Sequence, residues 1–379
     1  MDAKKTASCL PFGIAFICTG ILVNLIQATC FLIVRPLSKT LFRRINGAVT
    51  EILWLLVIWL MDWWSGLKVQ LYTDHMDTYR LMGKEHAILM PNHTCDVDIL
   101  LVWLLAQRFD CLRSALMVVK KSSKYLPIYG WASWFFEFIF LDRSWEKDEH
   151  YLKSSLKGLK DFPKPFWLTM FVEGTRMTED KLLVAQEFAA SRGLPVPRNV
   201  LVPRTKGFVA AVKHMRSFVP AVYDVTLAVS KGHPLPSLVR IFEKQPSEVK
   251  IYIKRYSMKE LPESDGDIAQ WCKDRFVEKD AMLEEFRAEG TFEGKEIIPD
   301  GGRSLKSLLV FITCLCMCCV GIYKFCQAFS LLSTWKGNAI IAGGLAMVVL
   351  IGNIFIAYTK LPKRALIAAA AAAAKANIN

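Results

Sequence analysis

Of the six histidines in the chain, at positions 75, 86, 93, 150, 214 and 233, only His93 stands between a strand-like run and a helix-like run with a carboxylate nearby. That carboxylate is Asp98, five residues on. On one continuous helix, side chains five residues apart point about 140° apart and do not meet. With His93 in the loop before the helix and Asp98 on its first turn, they touch. Asp98 then orients the imidazole and stabilises its protonated form, and His93 becomes a general base competent near neutral pH. Spacing alone leaves a second reading open, in which His93 is a satisfied loop histidine. Cys95 lies close enough to be considered as a nucleophile, but no motif supports a covalent route and no Gly-x-Ser-x-Gly elbow is present.

A second group of residues suits an anion. The apolar run Phe166 to Val172 ends in Glu173-Gly174-Thr175-Arg176. Glycine at a strand end permits a tight turn, and arginine offers a fork matched to phosphate oxygens. Phe140-Leu141-Asp142-Arg143 is another strand-like run ending in arginine, and Arg204-Thr205-Lys206-Gly207-Phe208 and Val219-Pro220-Ala221 follow. Each cation alone is a solvated surface charge as readily as a ligand. Several at strand ends can converge on one phosphate, because the strand ends of an α/β sheet commonly form the site.

The elements that must position these residues are short apolar runs alternating with polar helical stretches. Ala87 to Met90, Phe166 to Val172, Val200 to Val202, Phe218 to Val229 and Val249 to Ile253 read as strands. A helix is expected from Asp96 to Gln107, and another, capped by Ser264 or Asp265, turns Ile268, Trp271 and Cys272 inward. Strands interleaved with helices imply an α/β domain with a mixed sheet, assigned to residues 70–300.

The rest of the chain points to a bilayer. Of its 379 residues 53% are hydrophobic and 22% charged. The mean hydropathy is +0.27, which excludes a disordered chain. Net charge is +13, which suits an anionic partner. Nucleic acid is excluded as that partner, since no aromatic–basic motif accompanies the charge. The eleven cysteines form neither a disulfide framework nor a zinc spacing, and no metal is expected. Leu10 to Val34 is free of charge over 25 residues, and as a helix would extend roughly 37 Å, so residues 1–40 read as a retained transmembrane anchor. Ile52 to Met61, with Trp54, Trp59, Trp63 and Trp64 around it, is too short to span. Residues 41–69 are therefore assigned as an interfacial segment, with a buried core helix as the alternative. Ser307 to Tyr323 and Ala339 to Tyr358 form a membrane hairpin within 301–364, and 365–379 is an Ala-rich tail. Arg35, Lys39, Arg43 and Arg44 after the first run, and Lys360, Lys363 and Arg364 after the last, place the middle of the chain in the cytosol. Asn92-His93-Thr94 is a glycosylation sequon that a cytosolic domain would leave unmodified.

Asn92-His93-x4-Asp98, Phe-Leu-Asp-Arg143, Glu173-Gly-Thr-Arg176 and Val219-Pro220 stand in the order of the four motifs of the glycerolipid acyltransferases, and the chain resembles that family over nearly its whole length. Lys120-Lys-Ser-Ser-Lys-Tyr-Leu-Pro127, Pro203-Arg-Thr-Lys-Gly-Phe208 and Ile268-Ala-Gln-Trp-Cys272 look like the lysophosphatidic acid acyltransferases of the plant endoplasmic reticulum. The resemblance implies acyl-CoA-dependent acylation of the sn-2 hydroxyl of lysophosphatidic acid, giving phosphatidic acid and CoA. It implies His93 as base and Asp98 as its partner, with Arg143, Glu173, Gly174, Thr175 and Arg176 binding substrate and Lys206 assisting. Acyl-CoA is then a co-substrate and no cofactor is required. Thr94, Cys95, Val97 and Ile99 depart from the usual Asn-His-Arg-Ser-Asp-Ile-Asp-Trp, which bears on acyl-chain or headgroup preference. An acyltransferase for another lysophospholipid, or a non-catalytic scaffold of the same fold, remains as an alternative.

Overall fold

The computed structural model describes residues 3–359 except 231 and 300. In chain order the helices and strands are α1 (Ala3–Leu37), α2 (Lys39–Trp59), β1 (Lys68–Thr73), α3 (Met76–Leu81), β2 (Ala87–Pro91), α4 (Asp98–Arg108), β3 (Ala115–Lys120), α5 (Tyr129–Phe135), β4 (Ile139–Leu141), α6 (Trp145–Lys157), β5 (Trp167–Thr169), α7 (Glu179–Ser191), α8 (Thr205–Met215), β6 (Ala221–Val229), α9 (Leu238–Phe242), β7 (Glu248–Ser257), α10 (Asp265–Glu289), β8 (Glu296–Ile298), α11 (Leu305–Ala328) and α12 (Trp335–Thr359). Eight strands form one mixed sheet in the order β4-β3-β5-β2-β6-β7-β1-β8. The six-strand succession from β4 to β7 is parallel until β6 meets β7 antiparallel, and β8 closes the far edge antiparallel to β1. Every residue of β2 is buried, as its unbroken apolar run requires of a strand covered on both faces.

Several expected elements shift. Val200 to Val202 is not a strand but a loop whose Leu201 N–H donates to Glu173. Phe166 to Val172 contributes only three residues to the sheet before the chain turns towards Gly174. Ser264 caps α10 by accepting from the Asp267 N–H, and Ile268 and Cys272 are buried as expected.

Four helices among the described residues are long and apolar enough to cross a membrane: α1, α2 with its continuation to Trp64, α11 and α12. The interfacial assignment of Ile52 to Met61 is corrected. That run is the last part of α2 and the start of its continuation to Trp64, and Leu53 to Met61 are all buried. Trp54 stacks on Trp103 of α4 with ring centroids 4.0 Å apart, and Trp59 stacks on Phe311 of α11 at 3.5 Å. Counting only charge-free residues hid the first half of the helix, whose polar groups are satisfied internally. Arg43 pairs with Glu137 at 2.5 Å, Glu51 receives Arg113 and Lys306, and Asn46 donates to the Phe135 carbonyl. Aromatic rings that would favour headgroups instead found partners of their own kind. The tail 365–379 and the basic flank from Lys360 to Arg364 lie outside the described residues.

Candidate active site

Strand β2 delivers Asn92 and His93 to the edge of a cavity of about 560 Å³. Asn92 is buried and extends the pairing with β6, its side chain donating to the Leu227 carbonyl and accepting from the Leu227 N–H. The sequon asparagine is thus held inside the fold. Behind it, the buried Lys279 of α10 donates to the carbonyls of Met90 and Val225 and pairs with Asp224 at 2.6 Å.

The loop 93–97 resolves the five-residue spacing. His93 Nδ1 lies 2.8 Å from Asp98 Oδ2, and Asp98 is the first residue of α4. Asp98 is wholly buried, and the same oxygen accepts the N–H groups of Thr94 at 2.7 Å and Cys95 at 2.9 Å. Its second oxygen accepts the Cys95 thiol at 2.8 Å. A carboxylate at a helix N-terminus is favoured by the orphan amides and dipole there, so the fold itself fixes the partner of the imidazole. The ring packs at a tilt on Phe171, with centroids 4.4 Å apart, and lines the cavity, leaving Nε2 as the nitrogen not engaged by Asp98. Burial, then the Asp98 charge, push the Cys95 thiol well above its ordinary range, which removes it as a nucleophile. The amides of Thr94 and Cys95 are thus spent on Asp98.

The cavity has a cationic end and an apolar arm. Arg143, Arg176 and Lys181 line the former; Phe12 and Phe16 of α1, Trp54 of α2, Trp103, Tyr129 and Phe355 of α12 are among the walls of the latter. Gly174, at φ +72°, takes a left-handed turn, and a β-carbon there would come 3.0 Å from Arg204 Cδ. The glycine therefore lets Arg204 lie against the turn, where the Arg204 N–H donates to the Val172 carbonyl. Burial lowers the pKa of Arg143, and Arg204 and Arg176 lower it further. Burial likewise lowers that of Lys181, followed by Arg176, Arg143 and Arg204. Arg143, Arg176 and Lys181 on the wall and Arg204 beside the Gly174 turn thus repel one another, with the Asp96 carboxylate on the same wall near Arg176. Arg176 Nη2 donates to the carbonyl of Thr359, the last residue of α12, at 2.7 Å.

Two expectations fail here. Glu173 does not face the cavity: its buried carboxylate accepts the His93 N–H at 2.6 Å and the Leu201 N–H at 2.8 Å, bracing the histidine loop. Burial raises its pKa to about 8, opposed by those two N–H groups and by Lys279. Lys206 is not on the cavity wall either; it sits on α8 with Nζ 5.9 Å from the centre of the Trp145 ring. Lys181 of α7 does line the cavity, and Arg204, two residues earlier and just outside α8, lies against the Gly174 turn. Lys181 is held by the Thr175 hydroxyl at 2.5 Å and the Arg176 carbonyl at 3.1 Å. Gly174, Thr175, Arg176 and Arg143 line the cavity.

Residues 70–230 match the acyltransferase family model and 240–314 its C-terminal companion. The 1-acyl-sn-glycerol-3-phosphate acyltransferase 2 of Brassica napus is 52% identical over 93% of this chain and 90% of its own length. The Arabidopsis thaliana protein of the same name is 53% identical over 92% and 89%. The chain belongs to the 1-acyl-sn-glycerol-3-phosphate acyltransferase family. The human gamma form is 38% identical over 76% of each chain. In this acyltransferase the matched region begins at β1 and ends within α11, so it holds the whole sheet and every cation of the cavity.

Proposed function

We propose that the enzyme transfers an acyl chain from acyl-CoA to the sn-2 hydroxyl of lysophosphatidic acid, with His93 as general base. The observation that carries this reading is the position of the His93–Asp98 pair in one cavity with the cationic end and the apolar arm. His93 Nε2 takes the hydroxyl proton as that oxygen attacks the thioester carbonyl. Asp98 holds Nδ1–H and steadies the imidazolium. Collapse of the tetrahedral intermediate breaks the carbon–sulfur bond, and the imidazolium returns its proton to the departing CoA sulfur. Thiolate is a good leaving group, so the route needs no covalent enzyme intermediate. Arg143 and Arg176, with Lys181 and Arg204, hold the phosphate.

The number of cations favours a terminal phosphomonoester, which carries close to two charges, over the single charge of a phosphodiester headgroup. The test is CoA release by purified protein offered lysophosphatidic acid, lysophosphatidylinositol, lysophosphatidylcholine and a lysocardiolipin. Highest kcat/KM for lysophosphatidic acid is expected. Preference for a diester acceptor would overturn the headgroup assignment, and silence with all four would return the chain to the scaffold reading. Residence in the endoplasmic reticulum with the α/β domain in the cytosol fits the basic residues at both ends of the α11–α12 pair, Arg303 just before it and Lys306 in its first turn, and Lys360, Lys363 and Arg364 after it.

A further inference from the structure

We propose, building on His93 as the general base, that Lys279 of α10 is a positioning residue for the reaction. It anchors the end of β2 and, through Glu173, the backbone of the histidine. The Lys279 side chain is wholly buried, a costly place for an ammonium unless its protons find acceptors. Three acceptors surround it. Nζ donates to the Met90 and Val225 carbonyls, each at 2.9 Å, and Asp224 Oδ1 lies 2.6 Å away.

Those acceptors mark one place in the sheet. Met90 is the register partner of Asp224 across the β2–β6 pair, and Pro91 is that of Val225. The ammonium therefore bridges two neighbouring strands at the last residues of β2, immediately before Asn92 and His93. On the other side, β5 pairs with β2 only from Ala87 to Leu89. Beyond Leu89 the strand that delivers the base has a sheet partner on the β6 side alone, and Lys279 reinforces it there.

The second link is electrostatic. Glu173 accepts the His93 N–H on one oxygen and the Leu201 N–H on the other. Burial raises the pKa of this carboxyl to about 8; the two N–H groups and then Lys279 oppose the rise, and Asp98 adds to it. Lys279 is thus a positive charge favouring the ionised form, which accepts strongly on both oxygens. Protonation would place a hydroxyl on one of them and weaken the bond made there. The His93 backbone would then be held less firmly, while Nδ1 stayed with Asp98. A base acts from a fixed distance, and misplacement by about 1 Å can cost about 10²-fold in rate.

Neither Lys279 nor Asp224 is on the cavity wall, so the effect belongs in turnover rather than in substrate affinity. Lys279 lies within residues 240–314, whereas His93, Glu173 and Asp224 lie within 70–230. The C-terminal companion thereby supports the catalytic loop of the other region. Cys272, on the same helix, packs its sulfur 3.8 Å from that of Met90 and provides a control that changes packing on the same strand without changing charge.

The variants are made in the full chain. Lys279→Met leaves Asp224 buried without its cation, so Lys279→Met/Asp224→Asn is made beside it, because removing both members of a buried pair is tolerated better than removing one. Folding is followed by thermal unfolding, and CoA release is measured with each substrate varied. The double variant should fold, with kcat lowered about 10- to 10²-fold and both KM values near wild type. Cys272→Ala should lower thermal stability and leave kcat near wild type. Added to Glu173→Gln, the double substitution should lower kcat by less than it does alone, as residues on one route do.

A folded double variant with wild-type kcat would overturn the positioning role, as would an equal loss of kcat in Cys272→Ala or full additivity with Glu173→Gln. Failure of both Lys279 variants to fold would make the lysine a determinant of folding rather than of the reaction, and would overturn it too. His93→Ala in the same series separates the two readings. Near-normal turnover there removes the base and the role of Lys279 with it. A severe loss there, beside wild-type kcat in the folded double variant, removes the role of Lys279 alone.

Discussion

The two ends of the active-site cavity are built in opposite ways. At His93 every polar partner is already in place: Nδ1 has Asp98, the backbone N–H has Glu173, and the backbone carbonyl accepts from the Met177 N–H at 2.8 Å. At the cationic end, Arg143, Arg176, Lys181 and Arg204 are held near one another with Asp96 as the carboxylate on the same wall, and burial and mutual repulsion lower the pKa of Arg143 and Lys181. The chemistry is preorganised and the recognition is left incomplete. A base must hold its tautomer before the substrate arrives, whereas a phosphate site gains its stability only when the phosphate supplies the missing charge.

Breaking the preorganised end should have the largest effect. His93→Ala should lower kcat about 10²–10⁴-fold with acceptor KM little changed, the range expected for a positioned general base. Asp98→Asn should be comparably severe, because an amide cannot support the imidazolium and its NH2 group would face the Thr94 and Cys95 amides. Near-normal turnover in either variant, measured as CoA release, removes the mechanism.

The incomplete end should respond in affinity instead. Arg176→Lys keeps a charge but loses the fork, so acceptor KM should rise while acyl-CoA KM moves less. A rise confined to the acyl-CoA KM would assign Arg176 to the donor. The smallest effects separate the two lysines. Lys181→Met should raise the acceptor KM, and Lys206→Met should leave it near wild type, since Lys206 stands against Trp145 outside the cavity. The reverse order would restore the assignment made from sequence.

How far the site was legible depended on whether a residue's role follows from its neighbours in the chain. His93 and Asp98 are separated by one loop, so a strand end and a helix start were enough to bring them together. Glu173 was misjudged because its partners, His93 and Leu201, are 80 and 28 residues away. Arg204 and Lys206 stand two residues apart in one basic motif. Only the start of α8 at Thr205 decides that the first lies along the Gly174 turn and the second on the helix. The fold was legible where apolar runs were long, as in β2 and β6. It was illegible where a short edge strand such as β8 depends on a neighbour, and in α2, where buried arginine and glutamate disguised a core helix as a short surface one. Charges that find partners inside look the same in sequence as charges that face water.

The hydrogen bond from Arg176 to the Thr359 carbonyl has a consequence for turnover. The last carbonyls of a helix lack partners within it and carry partial negative charge, so the end of α12 already acts as a weak anion for Arg176. If Arg176 holds the phosphate as proposed, its arrival is an exchange of acceptors rather than the neutralisation of a bare cation, and only the difference between the two contacts appears as affinity. The same difference governs departure. In the proposed reaction the acylated product carries the same phosphate as the acceptor, and a peptide carbonyl waiting to reclaim the guanidinium would lower the barrier to letting it go. A site that held its phosphate against no competitor would bind more tightly and turn over more slowly.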